Sequence, residues 1–109
     1  MDENLDYAKY MIRWVNKLEL PSVSVSDKSF KLLQQYWLAG NEVDLEEVRE
    51  QLWTWVDENG GPAPSTDKAM CNVRMVLCLA YENNQELKEM GYFEDLLVNV
   101  GVPRSEIQL

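Results

Sequence analysis

Between Ala69 and Tyr81 the chain reads Ala-Met-Cys-Asn-Val-Arg-Met-Val-Leu-Cys-Leu-Ala-Tyr. At about 100° per residue, apolar side chains fill every sector of a helical wheel except those of Asn72 and Arg74. A helix that is hydrophobic all round must be contacted on several faces, so it belongs in the middle of a domain. It is too short to cross a bilayer, which takes about 20 apolar residues. The stretch therefore predicts a central helix, about 66–82, around which the rest of the chain folds.

The flanking segments supply amphipathic partners. Tyr7, Met11, Trp14, Val15 and Leu18 share one face of a first helix over 4–19, with Lys9, Arg13 and Lys17 as a basic ridge on the other side. That ridge is either a solvated face or a dock for acidic groups, in this chain or another. Leu20-Pro21 stops the helix, because the residue before proline avoids the α region. Ser22 to Ser26 alternates polar and apolar, but a lone strand is not stable, so it is read as a linker. Phe30, Leu33, Tyr36 and Trp37 mark a second helix over 27–39, closed by Gly40. Asp44 opens a third helix whose buried stripe is Leu45, Val48, Leu52, Trp55 and Val56. Asn59 to Pro64 is the strongest stop signal in the chain. Ser65, Thr66 and Asp67 then offer caps for the central helix. Beyond it the helix either breaks at Asn83-Asn84 or runs on to Met90. Gly91 and the stripe Phe93, Leu96, Leu97 and Val100 indicate a last helix near 92–99, and the tail from Arg104 is expected to be loosely held.

The expected architecture is all-α, a single compact domain over 1–109, with five to six helices packed around the central one. Leu77, Ala80, Asn84, Leu87, Gly91, Leu96 and Leu97 give one local likeness. Residues 76–97 resemble the junction between two armadillo-type repeats, in which a buried helix ends in an Asn-containing turn, a short helix follows, and a glycine precedes an apolar run. The resemblance covers about a fifth of the chain and has no second copy, so it implies a style of helix packing and not membership of the family.

Charge is distributed unevenly. Residues 1–41 carry five acids and five bases; residues 42–109 carry 14 acids and five bases, which accounts for the net charge of −9. Nucleic-acid binding needs the opposite sign, because its affinity rests on neutralising phosphates. A basic protein partner, or no charged partner at all, fits better. No membrane segment is expected, and the acidic start at Asp2-Glu3 does not read as a secretory signal. Cys71 and Cys78 project alike but lie about 10 Å apart along a helix, too far for a disulfide. Both are expected to be buried thiols in the cytoplasm.

Signals for catalysis are missing. The chain has no histidine, which removes every His-based activation of a nucleophile. It has no phosphate loop, no dinucleotide fingerprint and no calcium loop. Two cysteines that cannot converge do not make a zinc site. Catalytic, cofactor and metal residues are thus all expected to be none, and the protein is not expected to be an enzyme. The acids of Glu46/Glu47/Glu50 and Glu94/Asp95 read as solvated helix faces, or as a face for a partner. Arg74, set in the most apolar helix, needs a carboxylate from a neighbouring helix or must snorkel to the edge.

Trp53 is the one Trp outside the buried stripes. Either another helix covers it, or it anchors an interface beside an acidic face. The partner-binding face is assigned to Glu46, Glu47, Glu50, Trp53, Asp57 and Glu58, with the Gly60–Pro64 loop beside it. The expected function is a small acidic protein-binding domain, an inhibitor or immunity-type protein that neutralises a basic toxin or nuclease. The alternative is a helical scaffold or oligomerisation module with armadillo-like packing, including a homodimer, and no inhibitory role.

Overall fold

A computed structural model describes residues 2–61 and 66–107. Pro62 to Pro64 of the expected loop, and Ser65 of the expected cap, lie outside the described residues. Among the described residues six α-helices follow in order: α1 (Glu3–Lys17), α2 (Ser24–Ala39), α3 (Leu45–Glu58), α4 (Lys68–Cys78), α5 (Gln85–Met90) and α6 (Tyr92–Asn99). A short 3₁₀ turn spans Arg104–Glu106. The described residues contain no strand. The radius of gyration is 13.0 Å, which matches the roughly 13 Å of a compact chain of this length. Among the described residues no helix is long and apolar enough to cross a membrane.

The core forms as the stripes predict. Tyr7, Met11, Leu33, Val48, Leu52, Val56, Phe93, Leu96 and Leu97 are buried, and α4 is buried along its whole length from Met70 onward. α4 packs against α1, α2, α3 and α6. Trp14, Trp37 and Trp55 are half-buried against this core, not enclosed by it. Local caps behave as their chemistry requires. Asp44 accepts from the Glu47 N–H at 3.1 Å, and Asp67 accepts from Ala69 and Met70 at 2.8 and 3.2 Å. Gly40 and Gly91 close their helices at φ 72° and 68°, a region that side chains with a Cβ avoid.

Four expectations need correction. The serine-rich linker is helical from its middle onward: α2 starts at Ser24, with Ser26 and Ser29 buried. The Ser26 hydroxyl donates to the Val23 carbonyl at 3.0 Å, and Ser22 donates to the Asp27 carboxylate. These bonds stabilise a first turn that alternation alone does not reveal. The central helix is shorter than 66–82, ending at Cys78. The tail from Arg104 is ordered as far as it is described: Arg104–Glu106 form a 3₁₀ turn and Ile107 packs on the core. Glu94 does not lie on a solvated face; it is 7% exposed.

The end of α4 explains itself by hydrogen bonding. The last carbonyls of a helix lack internal partners and must find others when buried. Trp37 Nε1 of α2 donates to the Leu79 carbonyl at 2.8 Å. An Arg49 guanidinium N–H of α3 donates to the Ala80 carbonyl at 2.6 Å. Two flanking helices thus terminate the third. Replacing Arg49 with methionine leaves the Ala80 carbonyl buried and unpaired at that bond. The expected cost is about 1–3 kcal/mol, read from urea unfolding; a loss below a few tenths of a kcal/mol would show that the bond contributes little.

Arg74 is also buried, at 5% exposure, so it does not snorkel. Its guanidinium donates to the Gly61 carbonyl at 2.8 Å, just past the end of α3. That position is favourable for a cation, since a helix C-terminus carries partial negative charge. Asn84 is fully buried in the turn between α4 and α5. Its backbone N–H donates to Asn4 Oδ1 at 2.9 Å, and its side-chain amide donates to the Asn4 carbonyl at 2.7 Å. These two bonds, both donated by Asn84, tie the turn before α5 to the start of α1.

Candidate functional site

The acidic face of α3 divides into two rows. On the helical wheel Glu46, Glu50, Trp53 and Asp57 fall within about 60° of one another, while Glu47 and Glu58 lie about 100–120° round from Glu46. The structure follows this division. Glu46, Glu50, Trp53 and Asp57 line one shallow hollow together with Arg49 and Thr54. Glu47 lines a second hollow, between α3 and α2, with Val25 and Lys28; Glu50 borders both. Glu58 lines neither hollow and sits on the outer side near the end of the helix. All five carboxylate residues are exposed. Among the described residues none of them takes part in an ion pair or a side-chain hydrogen bond. The described ion pair joins Arg104 to Asp95 at 3.1 Å, far from α3 in sequence and exposed on both sides. The basic ridge of α1, Lys9, Arg13 and Lys17, is exposed, and in the described residues it makes no ion pair with the acidic half.

Trp53 resolves to an intermediate position. It is 36% exposed, and its Nε1 donates to the Tyr81 hydroxyl at 3.3 Å. Its other side borders an apolar groove of about 290 Å³, lined by Trp53, Leu77, Cys78, Tyr81, Leu87, Met90 and Tyr92. Trp53 therefore stands between an acidic ridge and an apolar depression. Met90 rises at the groove's rim and is 67% exposed. The Arg49 guanidinium lies over the Tyr81 ring, 5.2 Å from its centroid, and so fixes the ring that forms the groove wall. The groove was not legible in the sequence. Its residues come from α3, the end of α4 and the turn after it, α5 and α6, which no pattern along a single helix joins.

The buried phenols and thiols are shifted towards their protonated forms. The Tyr7 hydroxyl donates to Glu94 Oε2 at 2.8 Å. Tyr10 stacks on Tyr7 with centroids 5.4 Å apart and faces the same carboxylate without a well-formed hydrogen bond. Burial, and next the bond to Glu94, pushes the Tyr7 phenol well above the ordinary tyrosine range. Burial, then the Glu94 charge, does the same to Tyr10. The Cys78 thiol is raised by its burial and further by Glu94. Cys71 is raised by burial as well. Thiols held in the protonated form are poor nucleophiles, so both cysteines act as packing groups. Among the described residues no three acidic or thiol side chains converge as metal ligands would. What the molecule does present outward is a row of unpaired carboxylates beside an aromatic-walled groove, an arrangement suited to binding. No protein-family model matches the chain, and comparison with curated proteins and with solved structures gave no match.

Proposed function

We propose that the protein is a small acidic protein-binding domain that neutralises a basic protein partner, as inhibitors and immunity-type proteins do for a toxin or nuclease. One observation carries this reading: Glu46, Glu47, Glu50, Asp57 and Glu58 are exposed on α3 without an ion-pair partner among the described residues, beside the half-exposed Trp53. A row of uncompensated carboxylates attracts a cationic surface and speeds encounter with it. The adjacent indole can supply the apolar anchor that such an interface needs. Cys71 and Cys78, buried with their thiols raised by burial, are in keeping with a reducing compartment, the cytoplasm.

The test is capture by immobilised protein from a lysate of the source cells. The wild type is expected to retain a basic protein, more weakly as salt shortens the Debye length from about 10 Å at 0.1 M to about 3 Å at 1 M. The triple variant Glu46→Lys, Glu50→Lys, Asp57→Lys should lose that protein. Adding the wild type should suppress the captured protein's own activity. Retention unchanged by the triple reversal would overturn the assignment of the face. The competing reading, a scaffold or oligomerisation module, is favoured by the exposure of Met90. It predicts a homodimer in sedimentation that persists in high salt.

A further inference from the structure

Within the reading just given, and resting on it, the geometry points to the mode of contact: the groove between α3, the end of α4 and α5 seats the apolar side chains of a cationic amphipathic helix. The occupant follows from three observations. First, the groove measures about 290 Å³, at the small end for metabolite pockets but sufficient for one or two large apolar side chains. Its walls are Trp53, Tyr81, Leu87, Met90 and Tyr92, aromatic and thioether groups that adapt to an inserted chain. Second, the described residues offer no strand, so a partner gains no main-chain ladder by lying extended along an edge. A helix satisfies its own backbone and binds through side chains at i, i+3 and i+4. Third, acidic side chains lie on α3 and on α5 to either side of the groove, with the Arg49 guanidinium held against its Tyr81 wall. Glu46, Glu50 and Asp57 line the hollow on the far side of Trp53. On α5, Leu87 and Met90 line the groove, and the exposed Glu86 follows about 40° round from Met90. Lysine or arginine residues flanking the apolar stripe of the partner helix meet these carboxylates. The same charge disfavours a second copy of this chain, because two molecules of net charge −9 would bring acidic banks together.

A fluorescently labelled synthetic helix with leucine at i, i+3, i+4 and i+7 and lysine elsewhere tests this by anisotropy. A second peptide with every leucine replaced by alanine keeps the charge and serves as the control. The intact protein should bind the leucine peptide about tenfold or more tightly than the alanine one. Met90→Asp should abolish that preference, and Met90→Ser should reduce it. Met90 is 67% exposed, so both variants keep the fold, as circular dichroism will show. Trp53→Ala gives an independent reading of the same wall. The two proposals separate cleanly. If lysine substitutions at Glu46, Glu50 and Asp57 weaken both peptides but Met90→Asp leaves the leucine preference intact, the groove proposal falls while the acidic face stands. If the leucine preference vanishes with Met90→Asp but the charge reversals change nothing, the groove is the seat of a helix and the acidic-face reading fails. Equal affinity for both peptides overturns the groove proposal, and so does a homodimer that Met90→Asp dissolves.

Discussion

Replacing Phe93 with alanine is expected to lower the unfolding free energy by about 3–5 kcal/mol. Phe93 is fully buried and is the aromatic residue through which α6 reaches α1: its ring meets Tyr10 edge-on, with centroids 6.1 Å apart. α6 also packs directly on α4. Removing the ring takes away apolar burial, leaves a cavity, and loosens the stacked Tyr7–Tyr10 pair. A domain of this size has only about 5–15 kcal/mol of total stability. The variant should therefore approach the threshold of folding at 37 °C. Its counterpart, Met90→Ala, changes stability by less than about 0.5 kcal/mol, because an exposed side chain away from such features contributes little. Urea unfolding of the two variants checks both values. Equal stabilities would contradict the placement of α6 as a core helix.

The second large effect is alkaline unfolding. Tyr7, Tyr10 and Cys78 all have pKa values raised by burial and by Glu94. In the unfolded chain a thiol loses its proton near pH 9 and a phenol near pH 10. In the folded protein all three keep theirs. The native state then binds more protons than the unfolded one, so stability falls as pH rises. The stabilisation is fully present below about pH 9. Each group removes about 1.4 kcal/mol per pH unit above its unfolded pKa. Cys78 acts first, and above about pH 10 the three together give a slope near 4 kcal/mol per unit. Urea midpoints measured between about pH 8 and 11 should trace a plateau and then a steep decline. Changing Tyr10 to Phe and Cys78 to Val should make the decline clearly shallower, with Tyr7, and to a smaller extent Cys71, Tyr36 and Tyr92, whose pKa values burial also raises, carrying what remains. A decline of the same steepness in that double variant would place its origin elsewhere.

Glu94 shows why this behaviour was not readable in advance. It occurs in the pair Glu94-Asp95 near the start of α6, where acids favour the helix dipole and ordinarily face water. Asp95 does face water. Glu94 turns inward because the Tyr7 hydroxyl, 87 residues away in sequence, is there to meet it. The same holds for the end of α4. Leu79 to Tyr81 keeps an apolar helical pattern, yet the helix stops, because Trp37 and Arg49 arrive from other helices to take the carbonyls. Asn84 shares this origin, its partner being Asn4. By contrast, Asp44, Asp67, Gly40 and Gly91 were legible, because a cap acts within one turn of its own helix. For the candidate site, the acids of α3 and the border position of Trp53 could be read from periodicity. Their separation into two rows needed only the helical wheel, but the groove beyond Trp53 needed four elements to come together.

The sequence by itself determined the helical class, the apolar stripes and the exposed acids of α3, because each depends on spacing along one helix. The central stretch from Ala69 to Tyr81 was bound to be largely buried, because apolar side chains fill nearly every sector of its wheel. Tertiary structure alone decided where that helix ends, which carboxylate enters the core and what surface lies beside Trp53. Buried polar groups must be satisfied by whatever the rest of the fold brings near, and those neighbours lie far along the chain, where periodicity carries no information.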